Sequence, residues 1–97
     1  MWVGAIEFDV LLGDVHSLKE KRSVIRPLVT DLARTFTVSA AEVGEQNLHR
    51  RATIGVAVVA GDRAHVVDVL DRVERRVAYR PEVELVSAHR VLRTMTD

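Results

Sequence analysis

The sequence predicts an α+β fold in which two helices cover one face of a four-stranded antiparallel sheet. Residues 2–12 alternate apolar and polar side chains with the period of a strand, and three further strand-like segments follow later in the chain. Two segments with helical periodicity separate them, which gives the order β-α-β-β-α-β. Two βαβ-like halves with right-handed crossovers define a ferredoxin-like split βαβ sandwich, and we interpret the whole chain, 1–97, as one such domain.

The first strand and the first helix have the clearest patterns. The apolar face of the strand would hold Trp2, Ile6, Phe8, Val10 and Leu12. Ser17 and Glu20 have the spacing of a capping box, which predicts a helix that begins there and runs to about Thr35. Pro27 lacks a backbone N–H, so we expect a kink or a broken first turn near Ser23.

The second half of the chain repeats the alternation of strand and helix. Strands are predicted at Val38–Val43 and Ala52–Ala60, joined by a polar hairpin connection. Asp62 caps a second helix, which ends before Pro81. A last strand runs from Val83 to about Arg93.

Composition narrows the class of protein. The chain has no cysteine and a formal net charge of zero, which excludes thiolate sites and argues against strong overall attraction to nucleic acid. The N-terminus lacks the basic segment of a signal peptide. The longest nearly apolar run, Ala52 to Gly61, is far shorter than the ~20 residues of a membrane helix. We therefore expect a soluble cytoplasmic protein without membrane contact.

No known catalytic constellation is present in the sequence. The histidines lack the spacing of a metal site; they are His16, His49, His65 and His89. No glycine-rich phosphate loop occurs, and the third strand has no aromatic residue on which an RNA base could stack. We expect a protein that is not an enzyme and that requires neither cofactor nor metal.

Basic residues cluster at the start of the first helix, where the helix dipole disfavours cations. The cluster is either a solvated run of charges or a site that binds an anion; it consists of Lys19, Lys21 and Arg22. The topology brings further residues to the same end of the molecule, namely His16, Arg50, Arg51, Arg75, Arg76 and Arg80. The predicted RNA- or anion-binding set is His16, Lys19, Lys21, Arg22, Arg50 and Arg51.

The sheet face opposite the helices would be rich in small residues. Its central positions are Ala5, Gly55 and Ala57, and the last strand is expected to add Arg90 and Leu92. Because monomers rarely expose such a surface, we predict a homo-oligomer interface here; a solvated face or a ligand site are the alternatives. Glu7 and Asp9 are interpreted as solvent-facing or Arg90-paired acids rather than as an acid–base pair.

Three segments of the chain resemble the YlxP-like family of small bacterial proteins. They are His16-Ser17-Leu18-Lys19-Glu20-Lys21-Arg22, Val38-Ser39-Ala40-Ala41-Glu42-Val43 and Gly55-Val56-Ala57-Val58-Val59. The resemblance implies a ferredoxin-like fold. It also implies a role in ribosome assembly or translation, because the genes of such proteins commonly lie beside those of a translation initiation factor and a ribosome-binding maturation factor. The family offers no catalytic residues to transfer.

Three hypotheses about function follow from the sequence. The first is a non-enzymatic accessory factor that contacts ribosomal RNA or a ribosomal subunit through the basic end. The second is a homo-oligomeric protein–protein adaptor built on the open sheet face. The third is a small-molecule sensor at a dimer interface.

Overall fold

The computed structural model describes residues 1–96, and Asp97 lies outside the described residues. Its elements are β1 (Trp2–Leu12), α1 (Leu18–Phe36), β2 (Ser39–Val43), β3 (Arg51–Ala60), α2 (Arg63–Ala78) and β4 (Val83–Thr94). The sheet order is β2-β3-β1-β4, and each neighbouring pair of strands is antiparallel. The predicted α+β ferredoxin-like fold is thereby confirmed.

The core lies between the sheet and the two helices. Phe8 is completely buried at its centre, on the same face of β1 as Ile6 and Val10. The helices contribute residues at helical spacing, namely Ile25, Leu28 and Leu32 from α1 and Val66, Val69, Leu70, Val73 and Val77 from α2. Within residues 1–96, no helix combines the length and the apolar character needed to cross a membrane.

Helix α1 begins at the predicted cap. Ser17 Oγ accepts a hydrogen bond from the Glu20 N–H at 3.1 Å, and Glu20 Oε2 accepts one from the His16 N–H at 3.0 Å. The helix continues without interruption to Phe36, so the expected broken turn near Ser23 does not occur. Pro27 and Ser23 are both exposed, and water can therefore solvate the Ser23 carbonyl that lacks its helical donor.

Strand β4 contains an irregularity that the sequence pattern does not show. Asp9 pairs with Ser87 but Val10 pairs with Leu85, so Val86 is an extra residue in a β-bulge. The bulge reverses which side chains of β4 face the helices. The prediction that Arg90 and Leu92 lie on the open face is therefore wrong, since Leu92 packs against the core and Arg90 forms ion pairs with α2.

Candidate nucleic-acid interface

Lys21 is a core residue rather than a surface cation. Its side chain is 2% exposed, and its Nζ lies 2.8 Å from Glu42 Oε2 on β2. The same ammonium donates a hydrogen bond to the Gln46 carbonyl at 3.2 Å, which ties the β2–β3 loop to α1. The prediction that Lys21 contacts RNA is therefore corrected, because this charge is buried and already paired.

Helical spacing accounts for the burial of Lys21. It lies four residues before Ile25 and therefore continues the buried stripe that Leu28 and Leu32 extend. Lys19 and Arg22 project from other sides of the helix and are exposed. The sequence could have distinguished the buried lysine from its two exposed neighbours. The distinction depends on where each residue lies around the helix axis, not on the pattern of charges.

Arg51 lies on the open sheet face, away from the helices. Its Nε donates to Asp9 Oδ1 at 3.0 Å, and its Nη2 donates to the other carboxylate oxygen of Asp9. The hydrogen bond from Arg51 lowers the pKa of the Asp9 carboxyl below its usual range, although partial burial opposes this shift. Asp9 is thus paired with Arg51 and not with Arg90, and Arg51 does not join the cations of α1.

His16 and Arg50 meet beside the start of α1, as predicted. Arg50 Nε donates to the Val15 carbonyl at 3.2 Å, and Arg50 Nη2 lies 3.4 Å from His16 Nδ1. Asp14 contacts the other nitrogen of the His16 ring. This end of the molecule therefore carries a guanidinium beside an imidazole, together with the carboxylates of Asp14 and Glu20.

The arginines near the end of α2 do not reach that basic end. Arg75 and Arg76 lie beside Thr35 and Phe36, close to the C-terminal end of α1. Arg76 makes two hydrogen bonds of 2.8 Å to Asp31, and Arg80 lies 3.6 Å from the same carboxylate. The hydrogen bonds from Arg76 lower the pKa of Asp31. The predicted gathering of Arg75, Arg76 and Arg80 with the first-helix cations is therefore wrong, because these side chains lie along the seam between the helices.

A basic stripe runs instead along the exposed side of α1. We give this name to Lys19, Arg22, Arg26 and Arg34, all of them exposed. At about 100° per residue, the four positions fall within roughly 120° of the helix circumference and span about 22 Å of its length. None of them forms an ion pair with any residue from 1 to 96. The sequence-based prediction of the binding set did not include Arg26 and Arg34. Their helical spacing from Arg22 could have placed them on the same side of α1.

A groove separates the basic stripe from β2. We call it the α1–β2 groove; its volume is about 370 Å³, and it is lined by Arg22, Ile25, Arg26, Val29, Thr30, Glu42 and Gln46. The α1 side contributes an apolar floor and two guanidinium groups that form no ion pair within residues 1–96. The β2 side contributes a carboxylate and an amide, so the groove combines both signs of charge with an apolar surface.

The open face carries a second, mainly apolar hollow of about 290 Å³. Its lining includes the three predicted interface residues Ala5, Gly55 and Ala57, together with Ala41 and Val43 from β2. Val59 on β3 and Val91 on β4, the two strands that flank β1, are 62% and 46% exposed. The structure thus brings the predicted interface residues together on one surface.

The fold and these two surfaces define a small ferredoxin-like protein with a basic helical stripe and a bare sheet face. A family model described as "Protein of unknown function (DUF503)" matches residues 3–90, and the chain belongs to this family. The chain is 34% identical over 82 residues to the uncharacterized protein YlxP of Bacillus subtilis (strain 168). The matched region covers 84% of this chain and 89% of that protein. The resemblance to the YlxP-like family is thereby confirmed.

The fold also matches that of a solved structure. A de novo designed protein with a ferredoxin fold, LFR1 1, determined by solution NMR, superposes with a TM-score of 0.58 at 11% sequence identity. The match covers 100% of this chain and 89% of the designed protein. At this level of identity the likeness shows the fold alone.

Proposed function

We propose that the protein is a non-enzymatic accessory factor that binds the RNA of a ribosomal subunit through the basic stripe. The observation that supports this proposal is a row of four exposed cations on α1 without ion pairs among residues 1–96. Cations in such a row can meet successive phosphates of a nucleic-acid strand. The resemblance to proteins encoded beside translation factors favours ribosomal RNA as the partner.

Among residues 1–96, the acidic residues of α1 form no ion pair with this row. Glu20 accepts a hydrogen bond from the His16 backbone, and Asp31 faces Arg76 and Arg80 on the α2 side. The stripe therefore keeps a local positive field although the net charge of the chain is zero. The affinity of such binding depends strongly on the salt concentration and only weakly on the RNA sequence.

Reversing two charges of the stripe tests the proposal. The variant Arg22→Glu/Arg26→Glu is expected to lose salt-sensitive co-sedimentation with a ribosomal subunit in sucrose gradients, because two phosphate contacts become repulsive. With purified protein and single-stranded RNA, the slope of log K against log salt should fall by about 1.4, or roughly 0.7 per lost contact. Fluorescence anisotropy at several salt concentrations measures this slope.

The matched control is Arg63→Glu/Arg75→Glu. Both residues are exposed on α2 and outside the ion pairs of residues 1–96, and the change in net charge is the same. This variant should co-sediment like the wild type. Equal loss in the two variants would mean that only net charge matters, and unchanged co-sedimentation of the Arg22→Glu/Arg26→Glu protein would refute the proposal.

The alternative function is a homo-oligomeric adaptor in which two copies pair through their open faces. The exposed apolar side chains of Val59 and Val91 favour it. The charges at the two ends of this face also suit a second copy. Arg93 lies beside Val3 at one end of β1 and Glu84 lies beside Leu11 at the other, so a twofold axis between them would bring opposite charges together.

Ala57→Arg tests this alternative, since it places a long charged side chain in the centre of the open face. If two copies pair there, the variant should be monomeric at micromolar concentration in analytical ultracentrifugation while the wild type is dimeric. Ala78→Arg, at an exposed position on α2, is the control and should leave the dimer intact. A monomeric wild type would exclude the alternative.

A further inference from the structure

We propose that the α1–β2 groove holds an unpaired guanine base of the RNA strand that follows the basic stripe. This inference rests on the proposed function and adds a site of stated chemistry to it. The groove opens directly beside the stripe, since Arg22 and Arg26 belong to both. A strand whose phosphates contact the stripe would therefore bring its bases to the mouth of the groove.

The size and lining of the groove suit one base. Its volume of about 370 Å³ is near the lower end of the range of about 300–1,000 Å³ found for small-ligand sites. Ile25 is buried and Val29 half-buried at its floor, which provides an apolar surface for the flat face of a ring. Polar groups lie at the rim, as recognition of a base edge requires.

The carboxylate of Glu42 is held in place without any ligand. Lys21 Nζ lies 2.8 Å from Oε2, and that oxygen is buried. The Gln46 side-chain amide donates to the Glu42 carbonyl at 3.3 Å, while Lys21 bonds the Gln46 carbonyl. The Glu42 side chain is nevertheless 17% exposed, and this exposure falls on atoms other than Oε2. The carboxylate can thus still accept hydrogen bonds from the groove.

A fixed carboxylate selects guanine among the four bases. The Watson–Crick edge of guanine presents two adjacent donors, N1–H and the N2 amino group, and both can converge on the one carboxylate oxygen of Glu42 that is not buried against Lys21. Adenine and cytosine each place an acceptor nitrogen beside their single amino group, and uracil flanks its one N–H with two carbonyls. These acceptors would be repelled by Glu42. Arg22 and Arg26 can meanwhile bond the O6 and N7 acceptors of guanine or the adjacent phosphate.

Two binding measurements on the full chain test the groove. In the first, anisotropy compares oligouridylate with the same oligomer carrying one central guanosine, and the guanosine should raise the affinity about tenfold, as expected for one good base contact. In the second, NMR titration of the wild type with GMP and with AMP should shift resonances of groove residues for GMP at lower concentration.

Paired variants locate the effect at Glu42. Lys21→Met/Glu42→Leu removes the carboxylate acceptor together with the buried ammonium and should abolish the preference for guanosine while leaving oligouridylate binding unchanged. Lys21→Met keeps the carboxylate but removes the ammonium that holds it in place, so it should weaken the preference without abolishing it. If the double variant does not fold, the comparison of GMP with AMP on the wild type still tests whether the groove prefers guanine.

The outcomes separate this inference from the proposed function. Equal affinity for the two oligomers and for GMP and AMP would overturn the groove site, although RNA binding through the stripe would stand. Preference for GMP without any RNA binding would support the groove and refute the RNA function. A guanosine preference that survives in Lys21→Met/Glu42→Leu would also overturn the assignment to Glu42.

Discussion

Replacing Glu42 by alanine is expected to lower the free energy of unfolding by about 3–5 kcal/mol. The reason is the environment of Lys21, whose side chain is only 2% exposed and whose ammonium lies 2.8 Å from Glu42 Oε2. Without the carboxylate, this buried positive charge retains only the Gln46 carbonyl as a partner within residues 1–96. A loss of this size is a large part of the roughly 5–15 kcal/mol that stabilises a typical domain.

The two partners of this ion pair should differ in their sensitivity to substitution. Lys21→Met leaves a carboxylate whose side chain is 17% exposed, and water can solvate part of its charge. We therefore expect Lys21→Met to be less destabilising than Glu42→Ala. Glu84→Ala, at an exposed position outside the ion pairs of residues 1–96, is the control and should change stability by less than about 0.5 kcal/mol. Urea unfolding curves measure all three, and equal midpoints for Glu42→Ala and Glu84→Ala would contradict the expectation.

The fold was predictable because its strands and helices have strong periodicity. Alternation placed Ile6, Phe8 and Val10 on the buried face of β1, and they are buried there. The helix cap at Ser17 followed from its spacing to Glu20 and is present. Two clear helices between four strands leave few chain paths that obey right-handed crossover, so the element order sufficed for the topology.

The candidate site was less predictable because it depends on the phase of each element. A single extra residue, Val86, reverses the facing of the rest of β4 and moves Arg90 to the helix side, where it pairs with Asp71 and Glu74. The partner of Lys21 is 21 residues away on another element, so charge spacing alone could not reveal it. Local patterns predict which segments form helices and strands, but not which distant side chain neutralises a given charge.

The two proposed binding surfaces lie on separate parts of the molecule. The basic stripe lies on the outer side of α1, and the open face lies on the opposite side of the sheet from the helices. Arg51 belongs to the open face and Lys21 to the core, so neither is part of the basic stripe. The basic stripe and the open face therefore have no residue in common. Charge reversals on α1 and substitutions at Ala57 can therefore test RNA binding and self-association independently.

The contact between β1 and α2 gives the second large expected effect. Gly4 is buried, and a Cβ atom at this position would lie 2.3 Å from Val66 Cγ1 and 3.0 Å from Leu70 Cδ1. Val66 and Leu70 are themselves fully buried, so they have little room to move away. Gly4→Ala is therefore expected to destabilise the protein by about 1–3 kcal/mol through overpacking.

Thermal or urea unfolding of Gly4→Ala, compared with Gly61→Ala, measures this effect. A Cβ at the exposed Gly61 would meet no atom within 4 Å, so that variant should be as stable as the wild type. Val66→Ala removes the methyl group that clashes, at the cost of a cavity. If the contact at Gly4 limits the approach of α2, Gly4→Ala should cost less in the Val66→Ala background than in the wild type. Strict additivity of the two substitutions would instead show that Val66 does not determine how closely α2 packs on β1.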